Sequence, residues 1–156
     1  MRAMFSGLTS AVAIVLASGS VLLAAEAKQI VLEIESLKLD KAKVEKMKGA
    51  GGGKVVFFDS EKCKAETTIK LPGGWYEAVL YVWAKDDDSD STFLTIEADD
   101  YNTGVAKMPV WPWDKGKIAP CYPFQFKVED AKKTRKIQLW ADEPGVKLDR
   151  LIIKRP

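Results

Sequence analysis

The chain has 156 residues, of which 47% are hydrophobic, which favours one domain with a proper core. Its 24 basic and 22 acidic residues leave a formal charge of +2, so there is no electrostatic case for nucleic acid as a partner. Histidine is absent, which excludes Ser–His and Cys–His catalysis and leaves only carboxylate or Lys chemistry.

The first 27 residues have the three-part order of a secretory signal. Arg2 supplies the charge, residues 11–25 form an apolar run diluted by small residues, and Ala25-Glu26-Ala27 offers small residues where a signal peptidase reads. The run is short for a membrane span. The expectation is a secreted or periplasmic domain of residues 28–156, with no stable membrane insertion after cleavage. No Cys follows the apolar run, which argues against a lipoprotein anchor.

The rest reads as β. Residues 29–39 (QIVLEIESLKL) alternate apolar and polar, with a shift that predicts an irregularity near Ser36. Residues 41–48 are expected to form a short helical turn, ended by the glycine-rich loop 49–53. Short strands follow at 55–58 and 65–71, then a turn at Pro72-Gly73-Gly74. Residues 75–84 (WYEAVLYVWA) are almost continuously apolar and are expected mid-sheet, buried on both faces, with Trp75 and Trp83 in the core. Residues 86–91 (DDDSDS) are expected to be a hairpin loop leading into a strand at 92–98. The stretch 99–123 is irregular and holds four prolines. Alternation resumes at 124–128 and at 136–140, where Trp140 is also assigned to the core. Glu143-Pro144-Gly145 turns the chain into a last strand at 146–153. Short strands at this spacing indicate an all-β sandwich. The lysines at 41–48 and 132–136 are interleaved with acids or Thr and read as solvated faces.

Cys63 and Cys121 both fall in the mature part. In an oxidising compartment an even count suggests one disulfide between them, contributing about 4 kcal/mol. The alternative is two buried free thiols. Asp86, Asp88 and Asp90, with Glu97 further on, imitate the spacing of an EF-hand loop, but Ser91 stands where that loop requires Gly. A solvated loop is the better reading.

Three stretches together resemble one architecture. They are Leu32-Glu33-Ile34-Glu35, then Leu71-Pro72-Gly73-Gly74-Trp75-Tyr76 with its long strand, then Val146-Lys147-Leu148-Asp149-Arg150-Leu151. In that order they resemble the galactose-binding-like β-sandwich jelly rolls, in particular carbohydrate-binding module families 6 and 35. No single motif is specific. The resemblance implies a structural calcium held by Glu33, Glu35 and Asp149. Residues i and i+2 share a strand face, and calcium takes several oxygen ligands, so the implied set is chemically sound. A solvent-facing carboxylate row, or Asp149 paired with Lys38 or Arg150, is the competing reading.

A polysaccharide or glycan ligand needs flat aromatic faces with polar groups beside them. The aromatic-rich segment supplies Tyr101, Trp111, Trp113 and Tyr122, stiffened by four prolines, with Asp100, Asn102 and Asp114 as hydroxyl partners. Pro112 holds its neighbours extended and is expected to leave one Trp at the surface and one in the core; the alternative is that both pack under the long loop as a minor core. A non-catalytic glycan-binding module is the leading expectation. A structural or protein-binding subunit of an envelope or extracellular assembly is the alternative, because no hydrolase domain accompanies the sandwich. A glycosidase using Asp99 or Asp100 with Asp114 has no spacing to support it.

Overall fold

A computed structural model describes residues 29–99 and 111–156 in full, together with the backbone of strands at 12–15, 22–23 and 105–110. Fourteen strands are described, in chain order: β1 (Val12–Val15), β2 (Leu22–Leu23), β3 (Gln29–Glu33), β4 (Lys38–Asp40), β5 (Lys43–Lys46), β6 (Lys54–Phe57), β7 (Lys64–Lys70), β8 (Gly74–Trp83), β9 (Thr92–Glu97), β10 (Val105–Val110), β11 (Ile118–Pro120), β12 (Phe124–Val128), β13 (Arg135–Ala141) and β14 (Lys147–Lys154). A single 3-10 turn, Ile34–Ser36, separates β3 from β4. It is the irregularity expected near Ser36. Among the described residues no helix is long and apolar enough to cross a membrane.

The strands form two sheets. In the first, β14 runs between β8 on one side and β3 with β6 on the other, and β8 continues outward to β11 and β12. In the second the order is β10-β9-β13-β7, with β4 and β2 both against β7. The chain changes sheet repeatedly: β3, β5 and β6, β8, β11 and β12, and β14 belong to the first sheet, and the segments between them to the second. That back-and-forth is how a jelly roll shares one core between two faces. β1 and β2 add short parallel pairings to β3 and β7.

The inner faces meet in one hydrophobic cluster running from Ile30 to Ile153. The burial of β8 decides its role: Tyr76, Ala78, Leu80 and Val82 point inward, and the residues between them are half-buried or exposed. The strand is central, as expected, but only one of its faces is core. Trp75 is accordingly 47% exposed, and Trp83 and Trp140 are only partly covered. The three tryptophans assigned to the core therefore lie on outer faces, because each occupies the outward phase of its strand. Phe126 fills the interior instead, stacked between Tyr76 and Phe124 with centroids at 5.5 and 5.9 Å.

Three further expectations are corrected. Residues 43–46 form strand β5, not a helical turn, paired with β6 across the glycine loop. The 86–91 segment is a crossover between sheets, since β8 and β9 belong to different ones. Cys63 and Cys121 are both buried and unbonded. Cys63 Sγ points at Lys41 O (3.2 Å) and Asp59 Oδ1 (3.4 Å) beside β7, whereas Cys121 follows β11 and gives its N–H to Leu80 O of the other sheet. Burial pushes the Cys121 thiol up to about 12, so it is an inert core group.

Candidate functional site

The aromatic loop begins where β10 ends. Pro112 is buried and forms an isolated antiparallel bridge with Cys121, and Trp113 N–H donates to Pro120 O at 3.1 Å. With Pro112 and Cys121 turned inward, the residues on either side of each must turn outward. Trp111 and Trp113 therefore share one face, with Tyr122 between them, and are 44%, 58% and 50% exposed in that order. Trp113 lies 4.0 Å from the Tyr122 ring at 35°, and Trp111 meets the same ring edge-on at 6.1 Å. The expectation of one core and one surface Trp is corrected: Pro112 takes the inner position and both rings are out. Asp114, also exposed, pairs with Lys117 at 3.1 Å at the rim. Tyr101, Asn102 and Asp100 lie outside the described residues.

Outside this loop Trp75 is also exposed, but the other aromatics on the outer face of the first sheet carry cations. On the outer face of the first sheet, Lys147 Nζ sits 5.1 Å from both the Phe57 and Trp83 centroids, and the Arg150 guanidinium lies 4.3 Å over Tyr81. A cation over a ring takes the face that a ligand would use. A cavity of about 330 Å³ lies beside Trp83, lined also by Met47, Lys48, Lys117 and Ile118, with no second exposed ring among its lining residues. Among the described residues no cation stands over Trp111, Trp113 or Tyr122. The loop around Pro112, with three exposed rings together, is thus where uncovered aromatic surface is concentrated.

The acidic residues tied to calcium also converge, by a different route from the one expected. Glu33 closes β3 and Glu35 sits in the 3-10 turn, so the turn brings them together in place of a common strand face. Asp149 lies at a register shift between Leu148 and Arg150 in β14. Such a bulge re-aims a side chain, and here Asp149 is fully buried. It accepts the Gly51 N–H at 2.8 Å and pairs with Arg150. One oxygen each of Glu33 and Glu35 is buried without a partner. Burial, with Asp149 and Glu35 close by, pushes the Glu33 carboxyl above its usual value; burial raises Asp149 as well. The glycine loop is shaped to this cluster, since a Cβ at Gly52 would stand 2.6 Å from Glu35 Oε1. Among the described residues no three acidic or sulfur side chains close into a metal cage by themselves. Of the competing pairings for Asp149, Arg150 is the one made, while Lys38 bonds Glu66 at 2.9 Å.

Two acids of the stretch 86–90 are engaged by other side chains. Asp86 takes the Ser89 hydroxyl at 2.7 Å, and Asp90 holds Lys115. Asp99, the candidate acid of the glycosidase reading, has both oxygens engaged. It accepts from Arg135, from Glu129 N–H at 2.8 Å and from Asp130 N–H at 3.1 Å. Arg135 and these N–H groups hold its carboxyl well below the usual range. The buried Arg135 was not singled out from sequence. Its alternating strand hides a charge among inward positions, and only the Asp99 partner explains it.

No protein-family model matches this chain, and no curated protein matches it. Solved structures do. The exo-β-1,3-galactanase of Phanerochaete chrysosporium matches with a TM-score of 0.64 at 16% identity, over 81% of this chain and 29% of that one. This chain thus spans less than a third of the galactanase. A family 35 carbohydrate binding module from Clostridium thermocellum matches at TM-score 0.59 and 13% identity, covering 80% of this chain and 97% of the module. The C-terminal CBM6 of a marine laminarinase from Zobellia galactanivorans matches at 0.58 and 14%, covering 81% and 99%. The chain therefore has the β-sandwich fold of these modules, as the order of its motifs implied.

Proposed function

We propose that this protein is a non-catalytic carbohydrate-binding module that takes a polysaccharide on the Trp111–Trp113–Tyr122 face. The observation that carries the reading is that face: three half-exposed rings, turned out by the buried Pro112 and Cys121, beside β11 at the edge of the first sheet. A pyranose ring has an apolar side that stacks on such surfaces, and Asp114 at the rim offers an acceptor for its hydroxyls. The solved modules of the same fold are described as carbohydrate binding, which supports the choice of ligand class. The first 27 residues act as a cleaved signal, so the module works outside the cytoplasm.

We further propose a structural calcium at Glu33, Glu35 and Asp149. The donor set is all oxygen, and two buried carboxylate oxygens have no partner, which suits a hard cation. The ion would supply charge neutralisation between β3, the glycine loop and β14, and takes no part in chemistry. Affinity electrophoresis of residues 28–156 in gels cast with different polysaccharides tests the reading. Retardation by at least one glycan is expected. Unretarded migration in neutral, acidic and sulfated glycans alike, with the fold intact, overturns it.

A further inference from the structure

We infer that Lys115 is a positioning residue that fixes the aromatic face, by tying the aromatic loop to the acidic crossover; this rests on the proposed function. Lys115 lies two residues beyond Trp113, and its side chain is only 29% exposed. Its ammonium pairs with Asp90 and lies 3.4 Å from Asp87 Oδ1. Asp87 is almost fully exposed and holds a cation weakly, so Asp90, 15% exposed, is the anchor that counts.

Asp90 is itself immobilised. Its N–H and that of Ser91 both donate to Glu143 Oε2, at 3.2 and 3.3 Å. Ser91 Oγ donates to Asp142 at 3.0 Å, and Glu143 N–H returns a bond to Ser91 O at 3.3 Å. The crossover is therefore fastened to the turn before β14. Between residues 111 and 117, Lys115 is the side chain that makes an ion pair outside the loop. Backbone bonds from Trp113 and Gly116 fix the path of the chain, the latter to Ala84 O at 2.8 Å. They leave the tilt of the Trp113 ring against Tyr122 to side-chain contacts. The Lys115–Asp90 pair limits the swing of the segment carrying Trp113. Rings already ordered lose less freedom on binding, and ordering two of them only at binding would lower affinity by about tenfold.

Near-ultraviolet circular dichroism gives a readout that needs no ligand, because the Trp113–Tyr122 pair is close enough to contribute a band. Trp113→Phe assigns that band. Lys115→Met keeps the stem and removes the charge, Lys115→Arg restores a cation, and Asp90→Asn removes the anchor. Lys115→Met and Asp90→Asn are each expected to weaken the assigned band and to lower affinity for any retarding glycan by about tenfold. Lys115→Arg is expected to recover both. An unchanged band in Lys115→Met or Asp90→Asn overturns the inference, as does a lost band that Lys115→Arg fails to recover. If Lys115→Met does not fold, Asp90→Asn decides alone. If no glycan binds, the proposed function falls while the spectral test of the tether still stands.

Discussion

Asp99→Asn is the sharpest stability test of the fold. Arg135 is fully buried, and its guanidinium depends on Asp99 for a counter-charge, with Asp130 O as a further acceptor at 3.0 Å. Its Nε is already without a partner. Neutralising Asp99 leaves a buried cation uncompensated, which typically costs about 3–5 kcal/mol. The Asp99 side chain is 19% exposed, so water relieves part of the loss and the lower end, about 3 kcal/mol, applies. For a domain of this size that corresponds to a fall in Tm of about 10 °C, measurable by far-ultraviolet circular dichroism. Replacing both partners, as Asp99→Leu with Arg135→Met, should be less damaging than Asp99→Asn alone, because no orphan charge remains. The sign with pH follows from the lowered carboxyl of Asp99. Its stabilisation is complete above its unfolded pKa of about 4 and is lost as pH falls below that. The gap between wild type and Asp99→Asn should therefore be flat at neutral pH and narrow in acid. A change in Tm below about 2 °C at neutral pH would refute the argument.

Millimolar calcium should raise Tm and a chelator should reverse it, by about 2–3 kcal/mol at a hundredfold excess over Kd. Glu35→Gln and Asp149→Asn should abolish the response, and Gly52→Ala should weaken it by crowding Glu35 Oε1. Insensitivity of the wild type to calcium would remove the proposed ion. Both thiols should react with a thiol reagent only after denaturation, and without prior reduction, because Cys63 and Cys121 are free and buried. Absence of thiol in the denatured chain would establish the bond instead. Phe126→Ala should cost about 3–5 kcal/mol, since it is fully buried and stacks on two rings. A loss under about 1 kcal/mol in urea denaturation would contradict the packing described.

The strands at 65–71, 124–128 and 146–153 were legible because alternation and turn residues agree there, whereas residues 29–39 read as one interrupted strand and form two, β3 and β4, in different sheets. β8 misled because its outward positions hold Trp75, Val79, Tyr81 and Trp83, apolar residues that composition assigns to a core. What covers two of those rings is a cation from β14, a contact between strands distant in sequence. The β5 segment reads as polar and helix-compatible, and only its pairing with β6 makes it a strand. The aromatic site was legible in its residues, but its geometry was not. The inward turn of Pro112 comes from its bridge to Cys121, which no local pattern announces. The same holds for the acids: Glu33 and Glu35 stood out as a pair, whereas the bulge that buries Asp149 arises from a register shift between β14 and β8.

The central claim is that glycan binding resides on the Trp113 face and not on the sheet. Affinity for one retarding polysaccharide should therefore be compared between Trp113→Ala and Trp75→Ala, both solvent-exposed rings whose loss leaves the core intact. Trp113→Ala should weaken binding by on the order of 2 kcal/mol, roughly thirtyfold, while Trp75→Ala leaves it unchanged. Equal affinity in wild type and Trp113→Ala, or loss confined to Trp75→Ala, would contradict the account.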